Sequence, residues 1–400
     1  MNDCIYLDNN ATTKIDEEVL AAMLPYLSTY YGNPSSMHTF GGQLGRAVRE
    51  ARAQVASLLG AEDSEIIFTS CGTEGDNAAI LAALKAQPGK KHIVTTAVEH
   101  PAVLNLCRKL EKDGYTVTYL SVDGKGQLDL DELEASLTGN TAVVSVMYAN
   151  NETGVVFPIE QIGQIVKAYG ALFHVDAVQA VGKIPLNMKA STIDLLTLSG
   201  HKIHAPKGIG ALYVRRGVRF RPHLVGGHQE RGRRGGTENV AGIVALGKAA
   251  ALAQQHLADI AWERRLRDRL EQGILSTIPN TVVNGDRLSR LPNTTNIGFK
   301  YIEGEAILLS LDQYGICASS GSACTSGSLE PSHVLRALGL PYSVLHGSIR
   351  FSLSRFTTEA EVDRVLALLP GIIDRLREIS PFNSDDAEWL KEQESLVVSR

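Results

Sequence analysis

Disulfide chemistry is the first thing this chain has little material for. Five cysteines in 400 residues, an odd number in no regular spacing, exclude a cross-linked secreted framework and fit a reducing, cytoplasmic setting. Met1 to Tyr6 show no basic region followed by an apolar stretch, so no secretory signal is expected there. No uninterrupted apolar run approaches the ~20 residues of a membrane span. A basic excess is also missing. With 39 Lys+Arg against 44 Asp+Glu the net charge is −5, which argues against a dedicated nucleic-acid binder, and the Arg/Gly tract Gly232 to Gly236 is single and short. There is no Gly-rich phosphate loop of the Walker or dinucleotide type and no internal repeat. His201 and His204 lack the further cysteines, histidines or acids of a closed zinc site. What remains is an ordinary globular chain, 44% apolar and 21% charged, long enough for a large domain and a smaller one.

From about residue 15 to 255, short apolar runs alternate with helical patterns. Strands are expected at Glu65–Thr69, His92–Thr96, Thr116–Leu120, Ala142–Met147, Leu172–Asp176, Leu195–Ser199 and Gly210–Val214, with helices such as Glu74–Ala86, Ala102–Asp113, Leu130–Leu137 and Ile159–Tyr169 between them. That alternation predicts an α/β fold with a mostly parallel, doubly wound sheet and a ligand beyond the carboxyl ends of its strands. A charged helix from Leu257 to Leu275 reads as the hinge into a smaller α+β domain, so the expected division is 15–255 against 1–14 plus 256–400. The last apolar helix, Val362 to Leu376, contains Pro370-Gly371, which predicts a kink. The polar stretch 383–400 reads as a tail or a docking segment.

The run Asp194 to Leu198 ends at Ser199-Gly200-His201-Lys202, ahead of the turn Ala205 to Gly210. A strand that delivers a lysine to its exit puts an amine where a cofactor can meet it, as a Schiff-base nucleophile. Alone, such a lysine is an ordinary solvated one. A second apolar run, however, ends in Asp176, and pyridoxal phosphate enzymes need a carboxylate against the pyridinium nitrogen to keep the ring an electron sink. The two strand exits together are far more specific than either.

Other strand exits add candidates. Ser70-Cys71-Gly72-Thr73 reads as a turn into a helix whose free amides, with the Thr73 hydroxyl, suit a phosphate; plain helix capping is the alternative. His100 is placed to stack on a pyridine ring and shuttle protons, or is a bland loop histidine. An amide from Asn150-Asn151 suits the cofactor's phenolic oxygen, or belongs to a simple turn. Ser319 to Ser328, rich in Gly and Ser, is expected to be a mobile loop carrying Cys324, either as a swinging sulfur carrier or as an incidental thiol. Arg350, on the apolar strand Ser348 to Ser352, calls for a partner: a substrate carboxylate or an internal salt bridge.

Five stretches together resemble the pyridoxal-phosphate-dependent cysteine desulfurases of the class V aminotransferase family, over about residues 4 to 380. They are Tyr6 to Thr13, Tyr31 to Ser36, Asn150 to Gly154, Ser199 to Lys202 and Ser320 to Cys324. The long Ser/Gly loop resembles the branch holding the nitrogen-fixation (NifS) and housekeeping (IscS) enzymes, and the wording around Gly235 to Asn239 leans toward the NifS type. The resemblance implies the fold of type I pyridoxal phosphate enzymes and conversion of L-cysteine to L-alanine. On that basis Lys202 holds pyridoxal 5'-phosphate, Asp176 faces its ring nitrogen, His100 stacks on it, and Asn151 and Gln179 lie near its oxygen. Gly72, Thr73, Ser199 and His201 bind its phosphate, joined by Thr237 of the neighbouring subunit of a homodimer. Asn33 and Arg350 hold the substrate carboxylate. Cys324 takes the sulfur for an iron-sulfur scaffold or another acceptor protein, probing iron only by transient ligation of a cluster, with no resident metal site. Neither nucleic acid nor membrane is expected as a partner. A selenocysteine lyase or an aminotransferase of the same fold is the rival reading.

Overall fold

The computed structural model describes residues 4–320 and 331–381. In chain order its strands are β1 (Ile5–Tyr6), β2 (Ile66–Thr69), β3 (His92–Thr96), β4 (Thr116–Leu120), β5 (Thr141–Met147), β6 (Leu172–Asp176), β7 (Leu195–Ser199), β8 (Gly210–Val214), β9 (Thr281–Val283), β10 (Thr294–Phe299), β11 (Ile316–Cys317) and β12 (Ser348–Ser352). Seven form one sheet in the order β2-β8-β7-β6-β5-β3-β4. All neighbours pair in parallel except β8, which runs antiparallel to both β2 and β7. The sheet is therefore mixed and mostly parallel, and the expected strands appear within one residue of their expected ends.

The central strands are buried along their whole length, as continuous apolar runs such as Thr141 to Met147 require when helices cover both faces. On one face the Gly72–Ala86 and Pro101–Lys112 helices enclose Ile80, Val103, Leu195 and Leu212. On the other, Leu44–Leu59, Ile159–Ala168 and Val240–His256 enclose Leu196 and Leu198. Neighbouring residues of β7 thus serve opposite cores, following the two-residue period of a strand. The Gly72–Ala86 helix lies close to β7 because Gly75 has no side chain; a Cβ there would come within 2.6 Å of Thr197 Cγ2.

A second core surrounds the antiparallel sheet β12-β10-β9. The Ala261–Thr277, Gly304–Gln313 and Glu359–Ile379 helices pack there. A short 3-10 turn, Leu257–Asp259, precedes the first of these, where a single helix from Leu257 was expected. The last helix runs through Pro370 without a break. Val362 and Val365 before the proline and Ile372 and Ile373 after it are buried in the same core. The N-terminal segment ties the two cores together: β1 pairs with β11, Asp8 bridges to Ser352, and the chain then crosses to the large sheet. Among the described residues no helix is long and apolar enough to cross a membrane.

Candidate active site

The sheet directs its strand ends into one cavity of about 310 Å³. β6 and β7 are parallel neighbours with Asp176 opposite Thr197, so Asp176 and the segment after Ser199 emerge side by side. On the next strand Met147 pairs with Asp176. Gly210, the first residue of β8, pairs with both Thr69 and Ser199, which sets the turn after β2 against the end of β7. Asp176, Lys202, His100, Gly72, Thr73 and Ser199 all line this cavity, as do Asn151, Gln179, His201 and Arg350.

Lys202 closes a 3-10 turn, Gly200–Lys202, directly after β7. Its Nζ donates to the Ala11 carbonyl at 2.9 Å and to the Asn10 carbonyl. Asp176 is buried, and its Oδ1 accepts the Val178 N–H at 2.9 Å. Burial raises its pKa, while His100 and Lys202 work to lower it. His100 caps the Pro101–Lys112 helix, its Nδ1 accepting the Ala102 N–H at 3.1 Å. Burial holds its pKa down, so it is neutral with the proton on Nε2.

Behind these groups sits a buried polar layer. His174, two residues before Asp176, is within hydrogen-bond reach of Ser145 Oγ at 2.8 Å and Thr197 Oγ1 at 3.0 Å. Burial pushes its pKa down to about 3, so its 3.6 Å approach to Asp76 is not an ion pair. Asp76 is buried with Oδ1 unpartnered; burial, then Asp176, raises its pKa well above the carboxylate range. Glu99 is pushed up to about 8 by burial. Glu99 is thus a neutral acid at pH 7, and burial favours the neutral form of Asp76.

The turn after β2 forms a cradle. Cys71 precedes the helix without a side-chain cap, and an added Cβ on Gly72 would meet Val178 Cγ2 at 2.9 Å and Ser199 Cβ at 3.6 Å. Ser199 Oγ is buried without a hydrogen-bond partner. His201 Nδ1 lies 3.2 Å from Thr12 Oγ1, and burial lowers its pKa to about 4.

Arg350 is buried, and Asp8 holds its Nη2 at 2.7 Å, so the salt-bridge alternative for this residue is realised even though the residue lines the cavity. Two candidates lie elsewhere. Asn33 is exposed, with Oδ1 accepting the Ser35 N–H at 2.9 Å. Thr237 is exposed and lines a separate cavity of about 160 Å³. Cys324 and residues 383–400 lie outside the described residues. Sequence reasoning gave no role to Asn10, Asp76 or Glu99. Asp76 was findable, since it stands three positions after Thr73 and shares its helix face.

Residues 5–365 match the family model described as aminotransferase class-V. The chain belongs to the class-V aminotransferase family. That membership implies pyridoxal phosphate chemistry. Among its relatives in the family, Cysteine desulfurase 2 of Trichormus variabilis is 77% identical over 98% of this chain and 99% of its own length. Cysteine desulfurase NifS of Azotobacter vinelandii is 60% identical over 94% of both. A solved NifS-like protein, 39% identical, superposes with a TM-score of 0.88, covering 94% of this chain and 100% of the other. The class-V fold accounts for the mixed sheet and for the small antiparallel sheet beside it.

Proposed function

We propose that this chain is a cysteine desulfurase that holds pyridoxal 5'-phosphate on Lys202, converts L-cysteine to L-alanine and passes the sulfur to Cys324. One observation carries the reading: an amine and a buried carboxylate leave neighbouring strand ends into one cavity, beside an uncapped helix start and the unpartnered Ser199 hydroxyl. Those groups match the aldehyde, the ring nitrogen and the phosphate in turn. When bound, the cofactor supplies an aldehyde that condenses with amines and a ring that takes up the electron pair left at a deprotonated Cα.

The chain's own groups do the rest. Lys202 Nζ would hold the cofactor's aldehyde and, when free, would take the substrate's Cα proton and redeliver one. Asp176 would stabilise positive charge at the ring nitrogen, and His100 would lie against the ring with its Nε2–H available. Asn151 and Gln179 attend the phenolic oxygen. Gly72, Thr73, Ser199 and His201 bind the phosphate, with Thr237 supplied by the partner subunit of a homodimer. Arg350 and Asn33 hold the substrate carboxylate. The Cys324 thiolate attacks the substrate sulfur as the Cβ–S bond breaks, its electron pair going to carbon, so that cysteine plus thiol gives alanine plus persulfide.

The loop that carries Cys324 is rooted beside Arg350, for Ser319 and Arg350 exchange backbone hydrogen bonds of 2.6 and 3.2 Å. A dimer is supported by the strong exposure of Tyr31, Met37 and Val225, which flank the segments of Asn33 and Thr237. We read the chain as a large cofactor-binding unit, 15–255, and a smaller one from 1–14 and 256–400. The resemblance to NifS supports delivery of sulfur to iron-sulfur assembly for nitrogen fixation, with any iron met only in transit at Cys324. Purified protein supplied with L-cysteine and a thiol should form alanine and sulfide in equal amounts; no alanine under these conditions overturns the reading.

A further inference from the structure

Lys183 stands behind the cavity, four residues after Gln179. Its Nζ donates to Gln179 Oε1 at 3.1 Å and to the Gln179 carbonyl at 3.2 Å. Gln179 is buried, and its Nε2 donates to the Asn10 carbonyl at 3.0 Å. That carbonyl also accepts Lys202 Nζ. The two ends of a glutamine amide are nearly the same shape, so partners decide which end points where. An ammonium has donors only. It can face Oε1 and not Nε2, and it thereby aims Nε2 at Asn10.

We propose that Lys183 is a positioning residue: it fixes the orientation of the Gln179 amide, and through it the Asn10 carbonyl that places the Lys202 amine. Without Lys183 the amide is free to turn over, which sets Oε1 against the Asn10 oxygen, acceptor against acceptor, and pushes that carbonyl out of line with Nζ. Burial lowers the Lys183 pKa to about 8, with Glu263 favouring its charge and Arg350 opposing it, so the ammonium form is the one present at neutral pH. Lys183 and Lys202 border the same space of about 30 Å³.

The inference rests on Lys202 being the cofactor lysine, and the test separates the two. Apoprotein is mixed with pyridoxal 5'-phosphate, and the rate of capture is followed by absorbance. Borohydride reduction and peptide mass spectrometry then locate the adduct. Lys183→Met should slow capture at Lys202 by about tenfold. Lys183→Arg, which also only donates, should stay near the wild-type rate. In a Gln179→Ala background Lys183→Met should add nothing, because Lys183 acts through that amide. A thermal melt of each apoprotein checks that the fold is kept. An undiminished rate in Lys183→Met, or the same loss in both backgrounds, overturns the inference while Lys202 keeps its role. An adduct absent from Lys202 in the unaltered protein removes the reading of Lys202 and the inference with it.

Discussion

Asp8 holds one edge of Arg350 by a 2.7 Å hydrogen bond to Nη2, while Nη1 donates to the Asn151 carbonyl at 2.9 Å. The guanidinium is thereby fixed at the cavity wall, where a substrate carboxylate is proposed to bind. Lysine cannot reproduce two parallel donors from one rigid head. Arg350→Lys should therefore raise KM for L-cysteine by about tenfold with a smaller change in kcat, because the lost contact is made to bound substrate throughout. Steady-state alanine formation checks this, and an unchanged KM removes Arg350 from substrate binding. Asp8→Ala should destabilise the apoprotein by about 3 kcal/mol by leaving a buried guanidinium without its counter-charge.

A second buried pair sets the loop that carries Thr237. Arg52 makes two 2.7 Å bonds to Glu230, whose Oε2 also accepts the Phe68 N–H at 2.9 Å. Glu230 and Arg231 both take left-handed backbone angles, with φ of 47° and 60°, and this conformation persists only where the surroundings impose it. Arg52→Met should cost about 3 kcal/mol, and adding Glu230→Gln should recover part of that loss by removing the orphaned charge. Denaturant melts of the two variants test the order; equal stability of the single and double variants contradicts it.

Glu99 gives a pH signature. Its carboxyl is raised by burial from 4.5 to about 8, so between those values the unfolded chain releases a proton that the folded chain keeps. Stability from this group consequently falls as pH rises through that window. Glu99→Gln has nothing to titrate. Measured as melting temperatures from pH 5 to 8, its stability relative to wild type should climb with pH; a flat difference would mean that Glu99 is ionised in the fold.

The strands of the large sheet were legible because strands buried on both faces are written as unbroken apolar runs. Their exits marked Asp176 and Lys202 for the same reason. The reversal of β8 was only half legible: a run such as Gly210 to Val214 looks alike in either direction, although the short link from Gly200 to Ile209 leaves no room for a crossover helix. The partners of Lys202 are main-chain carbonyls of Asn10 and Ala11, delivered by a segment nearly two hundred residues away, and no side-chain type announces a carbonyl. Lys183 reads in the sequence as any lysine after a glycine; only its contacts with Gln179 distinguish it. The role proposed for Thr237 depends on what a second copy would bring, which a single chain's pattern does not contain.

The division of labour between Lys202 and Cys324 is the centre of the account. In the proposed function Lys202 and the cavity activate the substrate, and Cys324 receives its sulfur. The direct measurement is a single turnover with one equivalent of L-cysteine carrying heavy sulfur, stopped and read by peptide mass spectrometry alongside an alanine assay. The account predicts heavy sulfur on Cys324 and on none of Cys4, Cys71, Cys107 or Cys317, matched by an equal amount of alanine, with Cys324→Ala binding cysteine but yielding neither. Alanine and free sulfide formed by Cys324→Ala at the wild-type rate would contradict it.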